Sequence, residues 1–154
     1  MKGAEAMKSE NYISLVFPSR SVNESFARMC VACFAAQLDP NLDELGDIKT
    51  AVSEAVTNAI VHAYPDSIGK ITLKAKINQN GELHITVRDT GKGINDVVKA
   101  MQPMYTTGGS DRSGMGFTIM ESFMDKIRVR SKPGKGTSVD MWKRIVPRSG
   151  GAAM

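Results

Sequence analysis

The sequence predicts an α+β fold: a two-layer α/β sandwich in which helices cover one face of a mixed, mostly antiparallel sheet. Three observations predict it. Short runs alternate strictly between apolar and polar residues, the pattern of half-buried strands. Two pairs of these runs are joined by tight turns, and hairpins need antiparallel neighbours. Two longer stretches carry apolar residues at helical spacing, enough to cover the one apolar face such strands present.

Each element has its own signal. Residues 1–10 are polar and are expected to be a flexible N-terminal segment. Tyr12 to Phe17 alternates, with Ile13, Leu15 and Phe17 on one face, and Pro18 ends the strand. Ser21-Val-Asn-Glu24 reads as a capping box that opens a helix running to about Leu38. Its apolar stripe is predicted to be Phe26, Met29, Cys30, Cys33 and Phe34. Asp39-Pro40-Asn41 breaks the chain, and Asn41-Leu-Asp-Glu44 caps a second helix continuing to about Ala63. Leu45, Ile48, Val52, Ala55, Val56 and Ala59 form its core stripe.

Ile71, Leu73, Ala75 and Ile77 then alternate with Thr72, Lys74 and Lys76. A turn at residues 78–81 leads into Leu83, Ile85 and Val87. Asp89-Thr-Gly-Lys-Gly93 follows, with a short helix near Asp96 to Met101. Residues 102–113 lack periodicity and read as a mobile loop. Phe117 to Met124 is a helix and Ile127 and Val129 mark a strand. Residues 132–136 form a turn, and Val139 to Ile145 is the last strand. A single domain is expected over residues 11–146, with a flexible tail at 147–154.

Composition fits this reading. The chain has 154 residues, 42% hydrophobic and 23% charged, which suits one globular domain. No apolar run approaches the ~20 residues of a membrane span, and no apolar leader opens the chain, so neither a membrane nor a secretory signal is expected. The net charge is +4, from 20 Lys+Arg against 16 Asp+Glu, and suggests acidic partners. The basic residues are spread over strands, as at Lys70, Lys74, Lys76, Arg128 and Arg130, so direct nucleic-acid binding is not expected. Cys30 and Cys33 form a CxxC inside the predicted apolar stripe. They read as small buried hydrophobes rather than a redox pair, and two free thiols suit a reducing cytoplasm.

Four short patterns carry chemistry. Glu54, Asn58 and His62 recur every fourth residue and line one edge of the second helix, where they are either a solvated polar edge or a functional row. Asp89-x-Gly91-x-Gly93 follows a strand: its glycines allow close backbone approach, and the carboxylate can accept a hydrogen bond from an amino group such as that of adenine. Arg112-Ser113-Gly114-Met115-Gly116-Phe117 opens a helix, whose N-terminal N–H groups suit phosphate, with a permanent cation beside them. Gly134-Lys-Gly136-Thr137 offers a hydroxyl near the same ligand. Each is weak alone.

Together, and in this order, they resemble the GHKL ATPase/kinase superfamily. Three longer stretches, from Asn23 to Arg28, from Ser53 to His62 and from Arg112 to Glu121, are similar to its sporulation anti-sigma-F factors, a branch of the anti-sigma serine kinases. The resemblance covers about residues 11–145. It implies a Bergerat fold that holds ATP or ADP between sheet and helices under a mobile lid. It implies a homodimer that binds a sporulation sigma factor of the sigma-F type and phosphorylates a serine of an anti-anti-sigma partner.

On that resemblance Asn58 offers an amide oxygen to Mg²⁺, and Glu54 serves as general base. Arg112 is the catalytic cation at the γ-phosphate. His62, Asp89, Gly91, Gly93, Thr106, Thr107, Ser113, Gly114, Met115, Gly116, Phe117 and Thr137 contact the nucleotide, and Arg28 contacts protein partners. A general-stress switch kinase, a histidine-kinase catalytic domain and a partner-moving ATPase are the competing readings. Glu54 argues against the histidine kinase, because an imidazole attacks phosphate with its own lone pair while a hydroxyl benefits from a base.

Overall fold

In the computed structural model, which describes residues 11–102 and 116–146, the alternating runs form a single five-stranded sheet. Its strands are β1 (Asn11–Pro18), β2 (Lys70–Ile77), β3 (Glu82–Asp89), β4 (Lys126–Lys132) and β5 (Gly136–Arg144). They pair in the order β1-β2-β3-β5-β4. Every pairing is antiparallel, which corrects the expected mixed sheet. The chain leaves β3, passes to the far edge as β4 and returns by a hairpin, so β5 slots in beside β3 with reversed direction. The expectations for residues 1–10, 103–115 and 147–154 lie outside the described residues.

The helices are α1 (Val22–Ala35), α2 (Leu42–Asn58), α3 (Val97–Ala100) and α4 (Gly116–Phe123). Among the described residues no helix is long and apolar enough to cross a membrane. Ile71, Leu73, Leu83, Ile85 and Met141 from the sheet are fully buried against Val31, Ile48, Val52, Val56 and Met120 from the helices. Burying each such side chain is worth about 1.5–3 kcal/mol.

The two predicted capping boxes fare differently. At α2 the Asn41 side chain accepts from Glu44 N–H at 2.7 Å and Glu44 Oε1 accepts from Asn41 N–H at 2.9 Å, so the box closes. At α1 Ser21 has helical dihedrals and makes no side-chain cap. Glu24 turns instead to Arg28, whose Nε lies 3.0 Å from its carboxylate. The predicted α1 stripe is also corrected. The buried face is Ala27, Val31, Ala32, Phe34 and Ala35. Phe26 is 58% and Met29 48% exposed, Cys33 is exposed and Cys30 half-buried. Both sets satisfy helical spacing; the structure buries the alanine-rich one. Leu45 of α2 is likewise half-buried rather than core.

The last strand begins three residues earlier than predicted, because Gly136 and Thr137 pair with Lys132, Ser131 and Asp89. The helix after Asn58 widens by one π-type turn over Ala59–Ala63.

The outer face of the sheet carries one buried charge. Asp140 is only 2% exposed. Its Oδ1 accepts from Thr86 Oγ1 at 2.8 Å and lies 2.9 Å from His84 Nε2, and its Oδ2 accepts from Arg130 at 3.0 Å and Arg128 at 3.4 Å. Burial pushes the carboxyl up, but Thr86, His84 and Arg130 together outweigh it and hold Asp140 below the usual aspartate value. A depressed carboxylate stabilises the fold above its unfolded pKa and loses that contribution as pH falls through the folded one. Asp140→Asn is therefore expected to cost about 2 kcal/mol at neutral pH, with the half-exposed arginines free to turn to water. Urea unfolding should show the gap to wild type shrinking below the ordinary value of 3.8; a pH-independent gap would mean the loss is one of packing.

Candidate functional site

A cavity of about 410 Å³ opens between the end of α2, the inner face of β3 and β5, and the start of α4. The helical row predicted from sequence borders it: Glu54, Asn58 and His62 all line the wall, together with Ala55, Ala59 and Ala63. The alanines keep the helix low so that the polar side chains stand above it. The π-type turn at Ala59–Ala63 lies at the cavity rim, where such bulges concentrate.

Asp89 closes the opposite wall. It is 7% exposed, and its Oδ1 accepts from Gly91 N–H at 2.9 Å and Thr137 N–H at 3.2 Å. Burial pushes its carboxyl above the usual range, against the pull of those two N–H donors. Both bonds fall on one oxygen, which leaves the other suited to a donor on a ligand. Thr137 sits directly across the ladder from Asp89, and its hydroxyl is 2.7 Å from Ser131 Oγ.

The turn after Asp89 is pinned from three sides. Tyr64 OH accepts from Thr90 N–H at 2.8 Å, Ala63 carbonyl accepts from Lys92 N–H at 3.1 Å, and Ser131 Oγ accepts from Ile94 N–H at 2.8 Å. A Cβ at Gly91 would collide with the Ala63 carbonyl. Gly93 has φ +78°, and a Cβ there would run into the Lys132 carbonyl. The two glycines are thus required where the loop is squeezed between α2 and the β4–β5 turn.

Gly116 and Phe117 bring the start of α4 to the same cavity. A Cβ at Gly116 would stand 3.1 Å from Asn58 Nδ2, 3.3 Å from its Oδ1 and 3.3 Å from Glu54 Oε1, so glycine keeps the space beside that pair clear. The structure therefore gathers Glu54, Asn58, His62, Asp89, Gly93, Gly116, Phe117 and Thr137 around one cavity, with Gly91 behind Asp89. Thr106, Thr107, Arg112, Ser113, Gly114 and Met115 lie outside the described residues. Arg28 lies elsewhere, in a smaller cleft of about 290 Å³ between α1 and α2, lined also by Gly46, Lys49, Thr50, Ser53 and Glu54. Arg28 pairs there with Glu24, and its side chain is 32% exposed.

Sequence reasoning missed Lys92, Ile94, Asn95, Asp96 and Lys99 on the cavity wall. Lys92 is the unspecified residue between Gly91 and Gly93, and a cation at that place was a usable signal. Asp96 reads in the structure as the cap of α3, accepting from Lys99 N–H at 3.0 Å. Among the described residues no three His, Cys, Asp or Glu side chains converge as a metal cage. A lone amide oxygen such as that of Asn58 suits Mg²⁺, which keeps several waters and takes phosphate oxygens.

Comparison with known proteins places the fold in a family. Residues 17–143 match the family described as the histidine kinase-like ATPase domain. An anti-sigma F factor of Caldanaerobacter subterraneus is 59% identical over 140 residues, covering 90% of this chain and 97% of that one. That of Clostridium acetobutylicum is 54% identical over 137 residues, covering 88% of this chain and 95% of its own. Among solved structures, the RsbU and RsbW domains of a Mycobacterium tuberculosis protein align over 88% of this chain and 32% of that chain. The TM-score there is 0.65 at 19% identity, a likeness of fold. The histidine kinase domain of an Erythrobacter litoralis blue-light activated kinase aligns with a TM-score of 0.55 at 21% identity, over 79% of this chain and 60% of that one.

Asp89 yields a test that separates fold from binding. A carboxyl whose pKa is raised in the folded state favours folding below its unfolded pKa and loses that contribution as pH rises through the folded one. At neutral pH the charge of Asp89 is therefore a burden on stability. Asp89→Asn keeps an acceptor oxygen for Gly91 and Thr137 while removing the charge. The variant should unfold at the same or higher urea concentration than wild type at neutral pH, with the difference closing in acid. Its affinity for an ATP analogue should fall about tenfold or more by calorimetry. A loss of stability at neutral pH would make the carboxylate a structural anchor instead.

Proposed function

The chain belongs to the histidine kinase-like ATPase domain family, and we propose that it is an anti-sigma factor with ATP-dependent protein serine kinase activity. In this reading it binds and inhibits a sporulation sigma factor of the sigma-F type. It also phosphorylates, and so inactivates, an anti-anti-sigma partner. The relatives at 54–59% identity carry the name anti-sigma F factor, and they align with nearly the whole chain. A domain over residues 11–146, acting as a cytoplasmic homodimer, completes the proposal. The exposed apolar side of α1, with Val22, Phe26 and Met29, suits burial against a second copy.

The observation that carries the kinase reading is the position of Glu54, which borders both the large cavity and the Arg28 cleft. A carboxylate shared by two openings can face a nucleotide on one side and a protein hydroxyl on the other. Asp89 and Thr137 would hold the adenine end, and the α4 N-terminus with Lys92 the phosphates. Asn58 would hold Mg²⁺, which when bound neutralises charge on the phosphate oxygens. Glu54 takes the proton of the partner's serine hydroxyl as the serine oxygen bonds to the γ-phosphorus and the bond to the ADP oxygen breaks. Arg28, on the cleft side, would meet the partner with its guanidinium fork.

Incubation with labelled ATP, Mg²⁺ and candidate partners tests the class. Phosphoserine on the partner supports it; phosphohistidine or free phosphate alone would replace it with the histidine-kinase or ATPase reading. Glu54→Gln should keep nucleotide affinity and cut transfer by roughly 10²–10⁴. Parallel loss of binding and rate would make Glu54 structural. Asn58→Ala should weaken Mg-ATP binding and abolish transfer with the fold intact.

Arg28→Ala should leave ATP-analogue binding unchanged and weaken the sigma factor, the anti-anti-sigma partner or both by about 2 kcal/mol or more. Affinities within about twofold of wild type would return Arg28 to an intrahelical pair with Glu24.

A further inference from the structure

The sheet face turned away from the helices has a charge pattern that the nucleotide cavity does not use. Strand alternation sends every second residue outward, and on β2 and β4 seven of those eight are cations. β2 contributes exposed Lys70, Lys74 and Lys76, and its neighbour β3 contributes Arg88. Across the sheet β4 contributes Lys126, Arg128, Arg130 and Lys132. Two carboxylates, Glu82 and Asp140, share this face, and Asp140 is already engaged by Thr86, His84 and the two arginines. Three interstrand steps separate β2 from β4, about 14 Å.

Lysines on an edge strand have an ordinary explanation, since they deter edge-to-edge aggregation. That explanation covers β4 alone. β2 and β3 are interior strands, paired on both sides, so their cations guard no edge. The composition also argues against a protein partner. Protein interfaces deplete lysine and bury aromatic or aliphatic anchors. This face has such groups only at its β1 edge, Tyr12 and Val16, and from β2 to β4 it offers lysines and arginines with Thr72, Thr86 and Ser138 between them. Lysines, arginines and hydroxyls are the groups that contact phosphates. A domain with pI about 9.1 and a stripe of its basic residues on one sheet face has the electrostatic footprint of a nucleic-acid binder.

We propose that this uncovered face binds duplex DNA through its phosphate backbone, without reading sequence. The duplex rather than a single strand is favoured because single-strand binders stack successive bases on a run of free aromatic rings. Here the Trp142 ring is taken: His84 stacks on it at 4.5 Å between centroids, and Lys126 Nζ and Arg128 Cζ lie over it at 4.8 Å and 5.4 Å. Tyr12 at the β1 edge is the other ring on the strands of this face, and one ring makes no stacking run. What remains for a ligand is charge, and the duplex carries the denser line of phosphates. The face lies across the sheet from the cavity, so DNA and nucleotide can be bound together.

Fluorescence anisotropy of a short labelled duplex of mixed sequence tests this. Wild type should bind at low salt and weaken between about 50 and 200 mM salt, with a log–log slope of about −3 or steeper. Lys74→Ala/Lys76→Ala should bind at least fivefold more weakly, with a slope shallower by about 2. Arg20→Glu, in the connection between β1 and α1 and with the same change in net charge, should stay within twofold. Equal losses in both variants would reduce the effect to net charge and overturn the site. So would no binding at low salt, tighter binding of a single strand of equal length, or binding only to phosphatidylglycerol vesicles. ATP-analogue affinity, unchanged in both variants, shows that each is folded.

Discussion

The structure turns on the close approach at the end of β3. There the sheet, the last turn of α2 and the β4–β5 hairpin meet over a few residues, and the Asp89 carboxylate ties them. One oxygen accepts from the loop that leaves β3 and from the strand beside it. The Ala63 carbonyl and the Ser131 hydroxyl take the next two free N–H groups of that loop. Every buried N–H must find an acceptor, so this convergence fixes where the loop runs. It also explains the glycines: at Gly91 and Gly93 the backbone of a neighbouring element occupies the space a side chain would need. The cavity wall follows from this, since α2 is held at the distance where Glu54, Asn58 and His62 border it.

That arrangement conflicts with stability in one respect. A buried carboxylate with a raised pKa is a cost at neutral pH that a neutral amide would avoid. On the outer face the opposite holds, since Asp140 is surrounded by donors and cations that favour its charge. The two aspartates are both buried, yet one strains the fold and the other braces it. A charge kept where a neutral amide could accept the same hydrogen bonds at less cost is the kind of feature that concentrates at functional sites. The contrast therefore separates the cavity wall from the scaffold on physical grounds.

Much of the fold was legible in the sequence because strand alternation and the Asn41 capping box are local signals. The site was legible because its parts follow strand ends and helix starts, as at Asp89 and Gly116. What failed shares one cause. Periodicity identifies a helix but not which of two offset stripes faces inward. In α1 the larger stripe, with Phe26 and Met29, was predicted inside, and the alanine-rich stripe with Val31 took that place. Likewise Ser21 and Glu24 fit a capping box by spacing, but Glu24 had a second partner one turn on in Arg28. Asn95 and Lys99 reach the cavity only through the path of the chain after Gly93, which no local pattern encodes.

The basic face shows the same limit in electrostatics. Read along the chain, Lys70, Lys74, Lys76, Arg128 and Arg130 are dispersed and interrupted by apolar residues, so no block of charge is visible. A strand interleaves its two faces, and a sheet then stacks like faces side by side. Charge at every second position is therefore concentrated by folding, where charge in a block would be split between both faces. β2 and β4 are more than forty residues apart in sequence and about 14 Å apart across the sheet. Their fields add there, reduced by Asp140 and Glu82, because charge backed by an apolar core is little screened from within. For sheet proteins, the span over which charge is summed must follow the pleat rather than the chain.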